Sequence, residues 1–287
     1  MRDALREILP EFLLVFLCGT ISWLTEKKEI ATVSDKLAVL ILLCMIEGSM
    51  TSFLGRAESA ICQLNSFSRA LLPALLSAGG ALQIGGETIR YALCMTASDL
   101  FISGCRYMIF PLCRCFLIFS AAGTAFDNGF LSGLSRSIQW VCTSLLSGIC
   151  VLFCSGMGIT NLASFSTIRG AKTAKTVLSA AIPVAGSALA EASSSIMGGL
   201  KMMRYSVGVF GVAAVLSICF VPFLILGCRF LLFRFLSQVN GAIWENQSSV
   251  FLSSVSSVYG ILMGTVGAGS VMLLLAIVSM MKAVNGF

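Results

Sequence analysis

Four ionisable side chains stand inside apolar stretches, and they are the first places to look for chemistry. Glu191 lies in Ala188-Leu189-Ala190-Glu191-Ala192-Ser193-Ser194-Ser195, and Asp99 in Ala97-Ser98-Asp99-Leu100, with Arg106 and Arg114 further along the same stretch. Charges at such depth are expensive, and where they occur they mark polar paths, ion sites or buried pairs. For Glu191 two readings stand side by side: a site on a polar path between helices, or a carboxylate capping a broken helix end. For Asp99 the same path competes with a plain ion pair to a nearby arginine. Pro73 and Pro183 mark the segments that would frame such a path. A second constellation is Arg169, Lys172 and Lys175, spaced every three residues and therefore on one helical face. That face fits lipid headgroups or the aqueous side of a membrane, or a docking site for a partner protein.

Other chemistries are excluded by residue type. The 287 residues contain no histidine, so Ser-His-Asp and Cys-His nucleophilic sites and H-E-x-x-H zinc sites cannot be built from this chain alone. No G-x-x-x-x-G-K-[ST] phosphate loop is present. Most of the 12 cysteines, including Cys44, Cys142, Cys150, Cys154 and Cys219, lie in apolar runs, where cysteine behaves as a small hydrophobe. Cys113 and Cys115 flank Arg114 with no second ligand pair, a poor metal motif. Neither a cofactor nor an enzymatic activity is expected. The net charge of +6 is dispersed along the chain, unlike the dense basic patch of a nucleic-acid binder.

The elements that must position these residues are membrane helices. Hydrophobic residues make up 57% of the chain and charged residues 11%, against roughly 25% charged in soluble domains. The expected fold is an all-α polytopic bundle, one domain over residues 1–287. Apolar runs fall at Ile8–Leu24 (expected to be an uncleaved first helix), Leu37–Leu54, Ile89–Ser103, Tyr107–Phe126, Ile138–Met157, Val207–Leu226 and Val250–Met281. Between them, Gly55–Ser68, Thr160–Thr176 and Gly227–Gln247 are mixed in character, the first two with helical spacing of their apolar residues. Arg69–Gly86 and Val177–Gly199 are too rich in Pro, Gly and small residues for plain spans. Broken or re-entrant helices are expected there, since such backbone survives at depth only when buried in protein or lining a cavity. The count is seven or eight membrane segments, two of them broken. Gly260-x-x-x-Gly264 in the last run permits close helix packing.

Two halves look alike. Leu71-Leu72-Pro73-Ala74-Leu75-Leu76-Ser77-Ala78-Gly79 precedes a span reaching Pro111, and Ala181-Ile182-Pro183-Val184-Ala185-Gly186-Ser187 precedes a span reaching Pro222. The proline spacings are 38 and 39 residues. Residues 37–126 and 138–247 are the expected copies, followed by a final helix over 250–281. Paired Pro/Gly-interrupted segments in two halves are a pointer to a transporter-like architecture with a central site.

The run Ser166-Thr167-Ile168-Arg169-Gly170-Ala171-Lys172-Thr173-Ala174-Lys175, then Ala181-Ile182-Pro183-Val184-Ala185-Gly186 and Glu191, resembles the stage III sporulation protein AE family. Thr32-Val33-Ser34-Asp35-Lys36-Leu37-Ala38 and Leu71-Leu72-Pro73 with Ser77-Ala78-Gly79-Gly80 agree in the first half. Glu191 falls on the family's acidic position, while a second acidic residue of some members is replaced by Ser194. The resemblance covers nearly all of the chain; typical members have in addition a signal peptide and a soluble segment before the first span. It implies a multi-pass, permease-like subunit of a channel-like complex in the mother-cell membrane around the forespore. Its partners would be other stage III sporulation subunits and membrane lipids, with no nucleic acid. A stand-alone secondary transporter is the competing reading.

Overall fold

The computed structural model describes the backbone of residues 28–77, 86–126, 128–180, 186–244 and 247–282, and of residues 13 and 20; side chains are described for fewer, those of 157–201 being outside the description. Every described element is helical. The order is α1 (Lys28–Ser77), α2 (Gly86–Gly104), a π-helical turn (Cys105–Ile109), α3 (Phe110–Phe126), α4 (Gly129–Ala180), α5 (Gly186–Trp244) and α6 (Gln247–Lys282).

Among the described residues, five helical stretches are long and apolar enough to cross a membrane: Asp35–Ser77, Tyr91–Phe126, Gly129–Gly156, Tyr205–Ala242 and Ser248–Met281. Their surfaces agree with that reading, since Phe130, Trp140, Phe210, Phe220, Leu231 and Phe235 are all exposed. A soluble chain rarely leaves so many large apolar side chains uncovered.

The helices are longer than the sequence divides them. The run 37–54, the mixed segment 55–68 and the first part of the Pro/Gly-rich segment are one helix of 50 residues, α1. Pro73 is an interior residue of it, and the helix ends at Ser77. A proline removes one backbone hydrogen bond and crowds the carbonyl four residues back; with only four residues following, a helix end absorbs that loss. In the same way α4, which begins at Gly129, joins the span at 138–157 to the basic segment in 52 residues. At about 1.5 Å per residue, helices of this length far exceed the roughly 20 residues that cross a hydrocarbon core. Apolar run length therefore marks the membrane-crossing part but not where the helix stops.

Pro111 leaves a different mark. Its ring would strike the carbonyl of Tyr107 in a regular α-helix. The chain widens just upstream into the π-turn, where the Phe110 N–H donates to the Cys105 carbonyl, five residues back. Arg106 is carried on that turn.

The chain forms two compact units. The first comprises Met1–Ala60, Ser103–Ser147 and Phe220–Gly267; the second comprises Ile61–Ile102, Gly148–Cys219 and Ala268–Phe287. The first unit's core is made by Leu42, Ile46, Phe53, Leu117, Phe233, Phe251, Tyr259 and Leu262. In it, the C-terminal part of α5 and the start of α6 run antiparallel. Ser256 Oγ donates to the Phe230 carbonyl at 3.1 Å, Ser237 Oγ to the Ser249 carbonyl at 2.8 Å, and Asn240 Nδ2 to Ser248 Oγ at 3.1 Å. Gly260 and Gly264 face the Phe230 ring and the Leu146 side chain, so this glycine pair seats side chains. The turn from α3 to α4 is closed by Asn128: its Oδ1 accepts from the Phe130 N–H at 3.1 Å, capping α4, and its own N–H donates to the Gly123 carbonyl at 3.2 Å. The second unit's core contains Leu64, Leu72, Leu75, Phe101, Val215, Met272, Leu273 and Ile277.

Candidate functional site

Asp99 is paired, and its partner is not one of the arginines near it in sequence. Arg69 Nη2, on α1, donates to Asp99 Oδ1, on α2, at 2.6 Å, with both side chains about half exposed. Arg106 lies seven residues along, roughly 10 Å up the axis at about 1.5 Å per residue, too far for contact. Arg106 pairs elsewhere: in the first unit its Nε lies 3.0 Å from Glu58 Oε1 of α1. Asp99 thus follows the ion-pair reading, with a partner thirty positions away that helical spacing alone does not reveal.

A buried cation–aromatic cluster occupies the first unit. Arg229 is only 1% exposed, and its guanidinium carbon lies 4.6 Å from the centroid of the Phe53 ring. Arg56, one turn beyond Phe53 on α1, places its own guanidinium 5.1 Å from the same centroid. Tyr259 meets Phe53 edge-on at 5.6 Å and stacks on Phe233 at 5.4 Å with an interplanar angle of 8°. A guanidinium sheds hydration more readily than an ammonium and offers a flat face to rings, so this is the arrangement in which a cation survives in an apolar core. Sequence reading passes over it because Arg229 sits in a segment of mixed character. The signal is nonetheless present: Arg229 lies just beyond the most apolar 18 residues of Tyr205–Ala242, whose mean hydropathy is 2.7, and Phe53 and Arg56 stand at i, i+3.

Glu47, in the apolar part of α1, is half-buried, with Oε2 enclosed and meeting no hydrogen-bond donor among the described residues. Of the cysteines, Cys94, Cys105, Cys113, Cys142 and Cys219 are buried as packed small hydrophobes, whereas Cys44 and Cys154 are exposed. Cys113 is buried and Cys115 exposed, so the two thiols do not share one site. Pro183 lies outside the described residues. Arg169, Lys172 and Lys175 lie on α4 and Glu191 on α5, with side chains that are outside the description.

The family model described as stage III sporulation protein AE matches residues 12–284. The chain belongs to the stage III sporulation protein AE family. A relative of that name from Bacillus subtilis (strain 168) is 25% identical over 219 residues, covering 73% of this chain. The chain spans about half of that relative's length, 54%. No solved structure matches. Within the family's motifs, Leu71 and Leu72 are core residues of α1, and Ser166–Lys175 lies wholly on α4. The first is therefore at least partly a packing motif. The second places its basic residues one helical turn apart along a single helix.

Proposed function

We propose that this stage III sporulation protein AE family member is a non-enzymatic, multi-pass membrane subunit of the machinery joining mother cell and forespore. In this reading it is a permease-like component of a channel-like complex and lies in the mother-cell membrane around the forespore. Other stage III subunits and the surrounding lipids are its partners. The observation that carries the proposal is the family match over residues 12–284 on a chain with five helices able to cross a bilayer.

An internal duplication belongs to the same proposal. A helix of 50 residues, α1, precedes a helical stretch containing Pro111, and a helix of 52 residues, α4, precedes a helix containing Pro222. In this reading the two orderings, like the proline spacing, reflect two copies of one unit. In this reading Glu191 and the segments around Pro73 and Pro183 line the polar path, and Arg169, Lys172 and Lys175 meet headgroups or a partner subunit.

The test is affinity purification of the tagged chain from sporulating cells after mild crosslinking. Recovery of other stage III sporulation proteins is the expected result. A chain recovered alone that moves a solute when reconstituted into liposomes refutes it in favour of a secondary transporter. Glu191→Gln keeps the side-chain shape and removes the charge; normal forespore development in that variant removes Glu191 from the path.

A further inference from the structure

The second unit contains a small cleft whose polar atoms have no use in the packing around it. It is lined by Asn65 and Ser68 of α1, Ser98 and Phe101 of α2, and Gly269 of α6, among apolar neighbours, and has about 20 Å³ of room for water. A single water needs roughly 10–15 Å³ measured in this way. Ser68 is 2% exposed, yet its Oγ meets no hydrogen-bond partner among the described residues, and neither does Asn65 Oδ1.

Ser68 departs from the habit of this chain. Several described helical hydroxyls turn back onto their own helix: Thr51 onto the Gly48 carbonyl, Thr96 onto Ala92, Thr124 onto Ser120, Thr143 onto Gln139 and Thr265 onto Leu262. That back-bond is open to any helical serine. Ser68 instead faces the cleft beside Asn65, one turn earlier on the same face. Gly269 keeps the far wall thin; a Cβ there would stand 3.1 Å from the Phe101 ring.

We propose that this cleft is a binding site for one ordered water, which donates to Asn65 Oδ1 and exchanges a hydrogen bond with Ser68 Oγ. The lining contains no charged side chain. Asp99, next in sequence to Ser98, has its carboxylate engaged by Arg69 at 2.6 Å. With no negative charge to offset desolvation of a cation, a neutral occupant is favoured. A buried water of this kind makes two to four hydrogen bonds and satisfies groups that would otherwise be left unpaired. The site is independent of the functional proposal above and holds whether or not the chain assembles with other subunits.

Two measurements on the full chain decide it. Water-edited solid-state NMR in liposomes should show rapid polarisation transfer from water to the Asn65 side-chain amide, identified by its loss in Asn65→Leu, and weaker transfer in Gly269→Ala. In detergent, Ser68→Ala and Asn65→Leu should each lower the Tm, and the double variant should fall no further than the worse single, because both lose the same water. A rise in Tm in either single variant, as expected when a dry, unpartnered polar group is removed, overturns the proposal. So do additive losses, the absence of water transfer in the wild type, and a Tm that climbs with sodium chloride but not with choline chloride. Should Asn65→Leu fail to fold, the amide is assigned by Asn65→Asp, which removes the NH2 signal and keeps the acceptor.

Discussion

Phe53→Leu is the substitution in which the buried cluster is most exposed to measurement. Phe53 is 1% exposed and carries three ring interactions: Arg229 at 4.6 Å, Arg56 at 5.1 Å and the Tyr259 edge at 5.6 Å. A desolvated cation–π contact is worth about 2 kcal/mol and an exposed one about 0.5 kcal/mol, and the aromatic pair about 0.5–1.5 kcal/mol. Leucine keeps the apolar character and loses all three, so their combined loss is about 3 kcal/mol before any relaxation. Phe251 provides the control. It is 0% exposed in the same unit and, among the described residues, no arginine lies over its face. Its replacement by leucine changes volume alone, a loss of roughly 1–1.5 kcal/mol. Unfolding of purified protein in mixed micelles with increasing SDS, followed by helix content, should therefore separate the two variants by about 3 kcal/mol, since the volume change is common to both, Phe53→Leu being the weaker. Equal losses, within about 0.5 kcal/mol, would show that Arg229 and Arg56 draw nothing from the ring.

Four further perturbations have definite signs. Reversing one charge of the Arg69–Asp99 pair, as Arg69→Asp or Asp99→Arg, should lower the Tm in detergent, and the double reversal should recover most of it; failure of the double variant to recover would mean the 2.6 Å contact is incidental. Pro111→Ala should let the π-turn close into regular helix and rotate Arg106 away from Glu58. A disulfide between Glu58→Cys and Arg106→Cys in a cysteine-depleted background is expected to form with Pro111 present and to drop in yield without it. Gly123→Ala places a Cβ 3.0 Å from the Ser132 backbone nitrogen, which cannot step aside, so stability should fall by about 1–3 kcal/mol, the usual range for overpacking. Gly133, on α4, has open space around it, and Gly133→Ala should raise stability by up to about 1 kcal/mol through helix propensity in the same unfolding assay.

What the sequence discloses about this chain follows from which signals are local. Apolar runs are local, and the stretches at 37–54, 107–126, 138–157, 207–226 and 250–281 each fall within a helix able to cross a membrane. Helix ends are less so. The mixed segment 55–68 contains Arg56, Glu58 and Asn65 and reads as a change of element, yet α1 passes through it, because polarity changes the surroundings a helix prefers without breaking the helix. Pairing is not local at all. Asp99 has two arginines downstream on its own stretch and takes Arg69 instead, since an ion pair needs neighbouring helices and a shared level along their axes. The Phe53 cluster is half legible: the i, i+3 spacing to Arg56 is in the sequence, but Arg229 reaches the same ring only through the packing of α5 against α1.

Polarity in this chain divides into three classes that ask different things of the surroundings. One set of described helical hydroxyls, Thr51, Thr96, Thr124 and Thr143 among them, bonds its own backbone and is, in effect, a set of small apolar groups, which helps a chain rich in serine keep membrane-like helices. A second set ties helix to helix, as Ser237, Asn240 and Ser256 do between α5 and α6; these fix the antiparallel register, since sliding either helix by one turn would break all three bonds at once. The third set is neither: Ser68, Asn65 Oδ1 and Glu47 Oε2 are enclosed without a protein hydrogen-bond partner among the described residues. Leaving such a group unsatisfied costs about 1–3 kcal/mol, and simple apolar replacements would remove the cost. The water proposed above removes that cost for Ser68 and Asn65, whereas Glu47 Oε2 has no such partner among the described residues. Glu47 is therefore a residue at which loss of function should run ahead of loss of stability.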